Sequence, residues 1–246
     1  MKFKKFLMTM ACMVLVVAAA LGFAGCAKDV KAEDVKSYIQ SAEVDGAFDA
    51  GYKMTMSFGK GYGTQAEVTF TEEGELKAAH VVSDSLGEMW LSEGLLYFKD
   101  EDTKVKFNYE SAPTEYEEIK DSIEELKDQS DEVSVEKLIS AINEIEVQQK
   151  TGAFKISMKK EESGKNVTFK ITASGKQKMD ILDEDAGEIS VKSQLDIVFV
   201  SNKLTKFNSK TTMGSGDKKS EIIMNVEAFN GAINLPADAD SYKVVE

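Results

Sequence analysis

Tyr52-Lys53-Met54-Thr55-Met56-Ser57-Phe58 places an apolar side chain at every second position with Lys, Thr and Ser between them. That two-residue period belongs to a strand with one dry face and one wet face. The same rhythm extends in both directions. Ala66, Val68 and Phe70 follow a glycine-rich turn at 59–63, and further short strands read over 76–83, 88–93, 95–99 and 103–109, with turns roughly ten residues apart. It resumes in Phe154/Ile156/Met158, Val167/Phe169/Ile171, Met179/Ile181, Ile189/Val191, Leu195/Ile197/Phe199 and Ile222/Met224/Val226. The segment from Thr205 to Met213 reads as polar and peripheral.

Helical spacing interrupts the strands twice. Val35, Tyr38, Ile39 and Ala42 mark a short helix over 33–43. Pro113 precedes Thr114-Glu115-Tyr116-Glu117, a capping-box pattern, and Tyr116, Ile119, Ile123 and Leu126 line one helical face. After a polar break, Ser134 caps a second helix with Val135, Leu138, Ile139, Ile142 and Ile145 on one side. Clean alternation leaves a dry sheet face that only the helices can cover. The expectation is an α+β fold: one strongly curved antiparallel sheet, with a helical hairpin at about 114–147 and the short N-terminal helix on its concave side.

Charge narrows the function. The chain has 246 residues and a net charge of −13, and all 30 of its basic residues are lysine. Without arginine it lacks the bidentate fork that grips phosphates, and its acidity opposes nucleic acid; no nucleic-acid partner is expected. One histidine, His80, excludes multi-histidine zinc sites. Ser134-Val135-Glu136-Lys137 and Lys150-Thr151-Gly152 imitate penicillin-binding motifs, but only twelve residues separate Lys137 from Lys150. They read as a helix start and a strand start. Asp183-Glu184-Asp185 and Asp238-Ala239-Asp240 lack the spacing of a calcium loop and read as solvated turns. His80 reads as a structural histidine. No enzyme, catalytic residue, metal or cofactor is expected.

The first 25 residues read as a signal peptide: Lys2, Lys4 and Lys5, then an uncharged run from Phe6 to Gly25. The ending Ala24-Gly25-Cys26 resembles a bacterial lipobox, with Phe23 where Leu is usual. The resemblance implies that Cys26 carries the lipid and residues 26–33 form the tether. The chain then stands on the extracytoplasmic face of the bacterial cell membrane, as a monomer. Removing residues 1–25 leaves 27 lysines against 43 acids, a charge of −16, and no cysteine pair. The exported part is held by its core alone.

Residues 34–246 resemble the LolA-like lipoproteins, including the LppX and LprG type. The resemblance is carried by the order of elements, Leu95-Leu96-Tyr97-Phe98-Lys99, and the ending Phe229-Asn230-Gly231-Ala232-Ile233-Asn234-Leu235-Pro236. It implies a half-open barrel that binds or carries a lipid or other apolar ligand between sheet and helices. Met54, Met56, Phe58, Phe70, Trp90, Phe98, Leu195, Ile197, Phe199 and Met224 are the candidates for its wall. The other reading is a ligand-free surface lipoprotein with structural or interaction duties. Because LolA closes its lid partly with an arginine, a lid here would close on apolar contacts.

Overall fold

The computed structural model describes residues 28–59, 62–130, 133–152, 154–181, 184–215 and 218–245. The signal segment and Cys26 lie outside them. The described fold is α+β, with thirteen mostly antiparallel strands and three α-helices. The chain clusters into two compact units. One comprises the chain up to Asp45 with Ser134–Asn225, and the other comprises Gly46–Val133 with Val226 onward.

The second unit contains the sequence-local meander. It consists of β2 (Gly51–Phe58), β3 (Gly63–Phe70), β4 (Leu76–Ser83), β5 (Gly87–Ser92), β6 (Leu95–Lys99) and β7 (Lys104–Asn108). They pair in chain order, each antiparallel to the next. Glu93 and Gly94, both at positive φ, make the tight two-residue turn between β5 and β6. Gly51 has φ +139°, and a Cβ there would overlap the Val68 carbonyl oxygen. Only glycine lets β2 start there.

Register puts Tyr52, Met54, Ala66, Val68, Ala79, Val81, Met89, Leu91, Leu96, Phe98, Val105 and Phe107 on one face, all buried. The helix α2 (Glu117–Ser130) supplies Ile119, Ile123 and Leu126, also buried. The Tyr52 hydroxyl donates to the Leu126 carbonyl oxygen, and Tyr116 stacks on Phe107 with centroids 4.9 Å apart. Thr114 does not cap this helix; Thr114–Tyr116 form a 3₁₀ turn leading into it.

The opposite face, expected to be wet, is covered over β5 and β6. The chain end returns as the 3₁₀ turn Ala239–Ser241 and as β13 (Lys243–Val244), parallel to β7. Tyr242 packs on Trp90 and Tyr97, and all three are buried. Alternation could not reveal this, because an aromatic on the second face reads like any other strand residue.

The first unit holds β1 (Lys28–Asp29), α1 (Ala32–Ser41), α3 (Val135–Thr151), β8 (Phe154–Ser163), β9 (Asn166–Ile181), β10 (Glu184–Val200), β11 (Lys203–Ser215) and most of β12 (Lys218–Ala228). Its strand order is β1-β8-β9-β10-β11-β12. Segments that the sequence divides into short strands run together as the 16-residue β9 and the 17-residue β10. β11 is not peripheral. It lies between β10 and β12, with Leu204, Ser209 and Thr211 buried. The polarity of that stretch is absorbed inside, where the Thr211 hydroxyl donates to Ser193 Oγ at 2.7 Å. The tether reading also changes, since residues 28–29 are an edge strand on β8.

The dry face of this unit carries Met158, Phe169, Ile171, Leu195, Ile197 and Phe199, all buried. α1 lies over it, with Tyr38 edge-on to Phe169 and Phe199 at 5.1 and 5.0 Å. Ser134 caps α3 as its sequence predicts, accepting the Lys137 N–H, and Gly152 ends it in the left-handed conformation. The two motif-like segments are thus the two ends of one helix, and Lys150-Thr151-Gly152 is not a strand start.

Candidate functional site

The start of α1, the last turns of α3 and the strands β1 and β8 line a half-open cavity of about 460 Å³. The edge strand builds one wall: the Val30 N–H donates to the Met158 carbonyl at 3.0 Å, which turns Lys31 and Ala32 over the end of β8. The Asp34 side chain accepts the Lys31 N–H at 2.9 Å and fixes the first turn of α1. Val30, Ala32, Ile156 and Met158 give the cavity its apolar lining.

The rim is charged. Lys36 on α1 donates to Glu146 on α3 at 2.6 Å and to Asn143 at 3.1 Å. Its Nζ also lies 3.9 Å from Glu33. The hydrogen bond from Lys36 holds the Glu146 carboxyl below the usual carboxylate range. A half-open lining that mixes Val30, Ala32, Ile156 and Met158 with charged groups can take an amphiphile, its apolar part against those four side chains and its polar end in water.

None of the ten sequence-derived wall candidates lines this cavity. Met54, Met56 and Phe70 are buried in the second unit, and Phe98 packs against Tyr116 at 6.2 Å. Phe58 and Met224 are half-buried. Trp90 faces the other side of its sheet. Leu195, Ile197 and Phe199 are buried on the face that α1 covers. The cavity residues escaped sequence reading because six of the ten are polar and five fall in the segment read as a tether. The one available signal was Ile156/Met158, the apolar beats of a strand flanked by lysines.

Elsewhere, His80 stacks flat on Trp90, and its Nε2 lies 3.0 Å from Glu88 Oε1. Asp238 pairs with Lys104. Among the described residues there is no group of three or more His, Cys, Asp or Glu side chains arranged for a metal ion, and no helix long and apolar enough to cross a membrane. Compared with protein-family models, curated proteins and solved structures, the chain gives no match to any of them.

Proposed function

We propose that this chain is a bacterial lipoprotein of the extracytoplasmic membrane face, anchored through Cys26, which binds a lipid or other amphiphile beside its own tether. The observation that carries this reading is the cavity of about 460 Å³, whose wall begins at Asp29, three residues after Cys26. Its volume lies within the range of small-molecule sites. Each methylene buried against Val30, Ile156 and Met158 would contribute about 0.8 kcal/mol. The role is binding, without catalysis, by a monomer. The curved half-open sheet of the LolA-like group is part of the same proposal. The antiparallel α+β fold and strand orders that close on themselves in neither unit support it.

A second reading, a ligand-free structural or interaction lipoprotein, is favoured by the burial of Met54, Met56, Phe70 and Phe98 in the second unit. Native mass spectrometry of the protein taken from its host membrane in mild detergent separates the two. Binding predicts a covalent lipid on Cys26 plus a second, dissociable apolar mass. The covalent adduct alone supports the ligand-free reading. Absence of both overturns the lipoprotein reading.

A further inference from the structure

The register of β8–β11 divides charge by face. The side chains opposite the helix-covered face include Lys155 and Lys159 on β8, Lys170 and Lys176 on β9, Lys192 on β10, and Lys206 and Lys210 on β11. Among the described side chains of these four strands, that face carries two carboxylates, Glu161 and Asp196. Its remaining positions are mostly Ser, Thr, Asn and Gln. Glu161 is engaged by Lys170 at 2.8 Å. Asp196 accepts from the Gln194 amide at both carboxylate oxygens, and burial pushes its carboxyl above the usual range. Lys155, Lys159 and Lys192 are exposed and have no acidic partner within 4 Å among the described residues. Lys159 and Lys170 sit directly opposite each other, with Glu161 engaging Lys170 and Asp29 of β1 in register with Lys159 on its other side.

This cationic plane belongs to a chain of net charge −13. It also adjoins the anchor. β1 pairs with β8 from Lys28, and the two Cα–Cα steps from Cys26 to Lys28 span at most about 7 Å. That is inside the screening length at physiological salt.

We infer that the lysine-bearing face of the β8–β11 sheet docks on the anionic phospholipid surface of the membrane that holds the anchor. The inference rests on the lipid anchor proposed above. It eases the difficulty of tethering an acidic protein to an acidic leaflet: on the described part of this face lysines outnumber carboxylates, and the lysines meet the head groups. Lysine suits the task, since a diffuse surface charge needs point cations and no bidentate fork.

The test is to reconstitute the full lipidated protein into vesicles of phosphatidylcholine alone or with phosphatidylglycerol. A membrane-impermeant amine reagent then labels the lysines, and peptide mass spectrometry reads each one. Lys150, on α3 at the other side of the same sheet, is the internal reference. Docking predicts that phosphatidylglycerol lowers labelling of Lys155, Lys159 and Lys192 by roughly fivefold relative to Lys150. The protection should vanish at high salt. Equal labelling in both vesicles overturns the docking face alone. Failure to co-float with either vesicle overturns the anchor, and the docking face with it. Ligand occupancy of the cavity enters neither readout.

Discussion

The His80 imidazole lies parallel to the Trp90 indole, with centroids 4.9 Å and planes 6° apart. Because Trp90 is the sole tryptophan, its emission reports this contact. Glu88 holds the imidazole from the side. His80→Ala uncovers one face of the indole and is expected to move the Trp90 emission to longer wavelength in steady-state fluorescence, with the emission of the unfolded chain unchanged. A folded-state emission spectrum identical to wild type would show that the stack does not shape it.

Tyr242 carries a hydroxyl that is buried without a hydrogen-bond partner. Tyr242→Phe removes an unsatisfied group and keeps the ring on Trp90 and Tyr97. It should leave stability unchanged or raise it by up to about 1 kcal/mol in urea unfolding. Burial and the nearby Asp238 and Glu88 push the phenol up to about 12, above its unfolded value of about 10. The folded state therefore holds this proton more tightly. The stability it contributes is complete below about pH 10 and lost as pH rises toward 12. The phenylalanine variant should gain on the wild type across that window.

The Lys36–Glu146 pair joins α1 to α3 at the cavity rim. Lys36→Gln is expected to cost about 0.5–1 kcal/mol at neutral pH. Glu146 is held below its unfolded value, so the pair's contribution is present at neutral pH and fades as pH falls through the acid range. The difference between Lys36→Gln and wild type should shrink on acidification, by thermal unfolding at stepped pH.

Gly51→Ala tests the start of β2. The added methyl meets the Val68 carbonyl oxygen, and the backbone there is at φ +139°. A loss of about 2 kcal/mol or more is expected in chemical unfolding. Gly94→Ala, with open space around its Cβ position, should cost less.

Ile156→Trp places bulk in the cavity from a half-buried position. It is expected to abolish the dissociable mass in native spectra while the far-ultraviolet dichroism stays that of wild type. Retention of the ligand would place the binding site elsewhere.

Much of this fold was legible because its strands obey period two. Tyr52, Met54, Ala66, Val68 and their partners fall on the face their alternation assigns. Helix positions followed from Ile119/Ile123/Leu126 and from the Ser134 cap. Two kinds of feature were not legible. The first is pairing between distant segments. Nothing in Lys28-Asp29 or Lys243-Val244 marks an edge strand, because two residues carry no period. The second is the side of a sheet that a distant aromatic will cover. Trp90 looked like a wall residue until Tyr242 was placed over it. The cavity failed to show for both reasons at once.

The first unit also has a consequence in time. Its first elements, β1 and α1, find their partners in Asn143 and Glu146 of α3, in β8 at Phe154–Ser163 and in Phe169 and Phe199. The Glu43 N–H waits for Asn202. A chain that emerges from its N-terminus must therefore make residues 46–133 before its own beginning has anything to pack against. The local meander of the second unit can form first, at low loop-closure cost. The earliest of the described segments to emerge finds its place only after α3 and β8 have followed it.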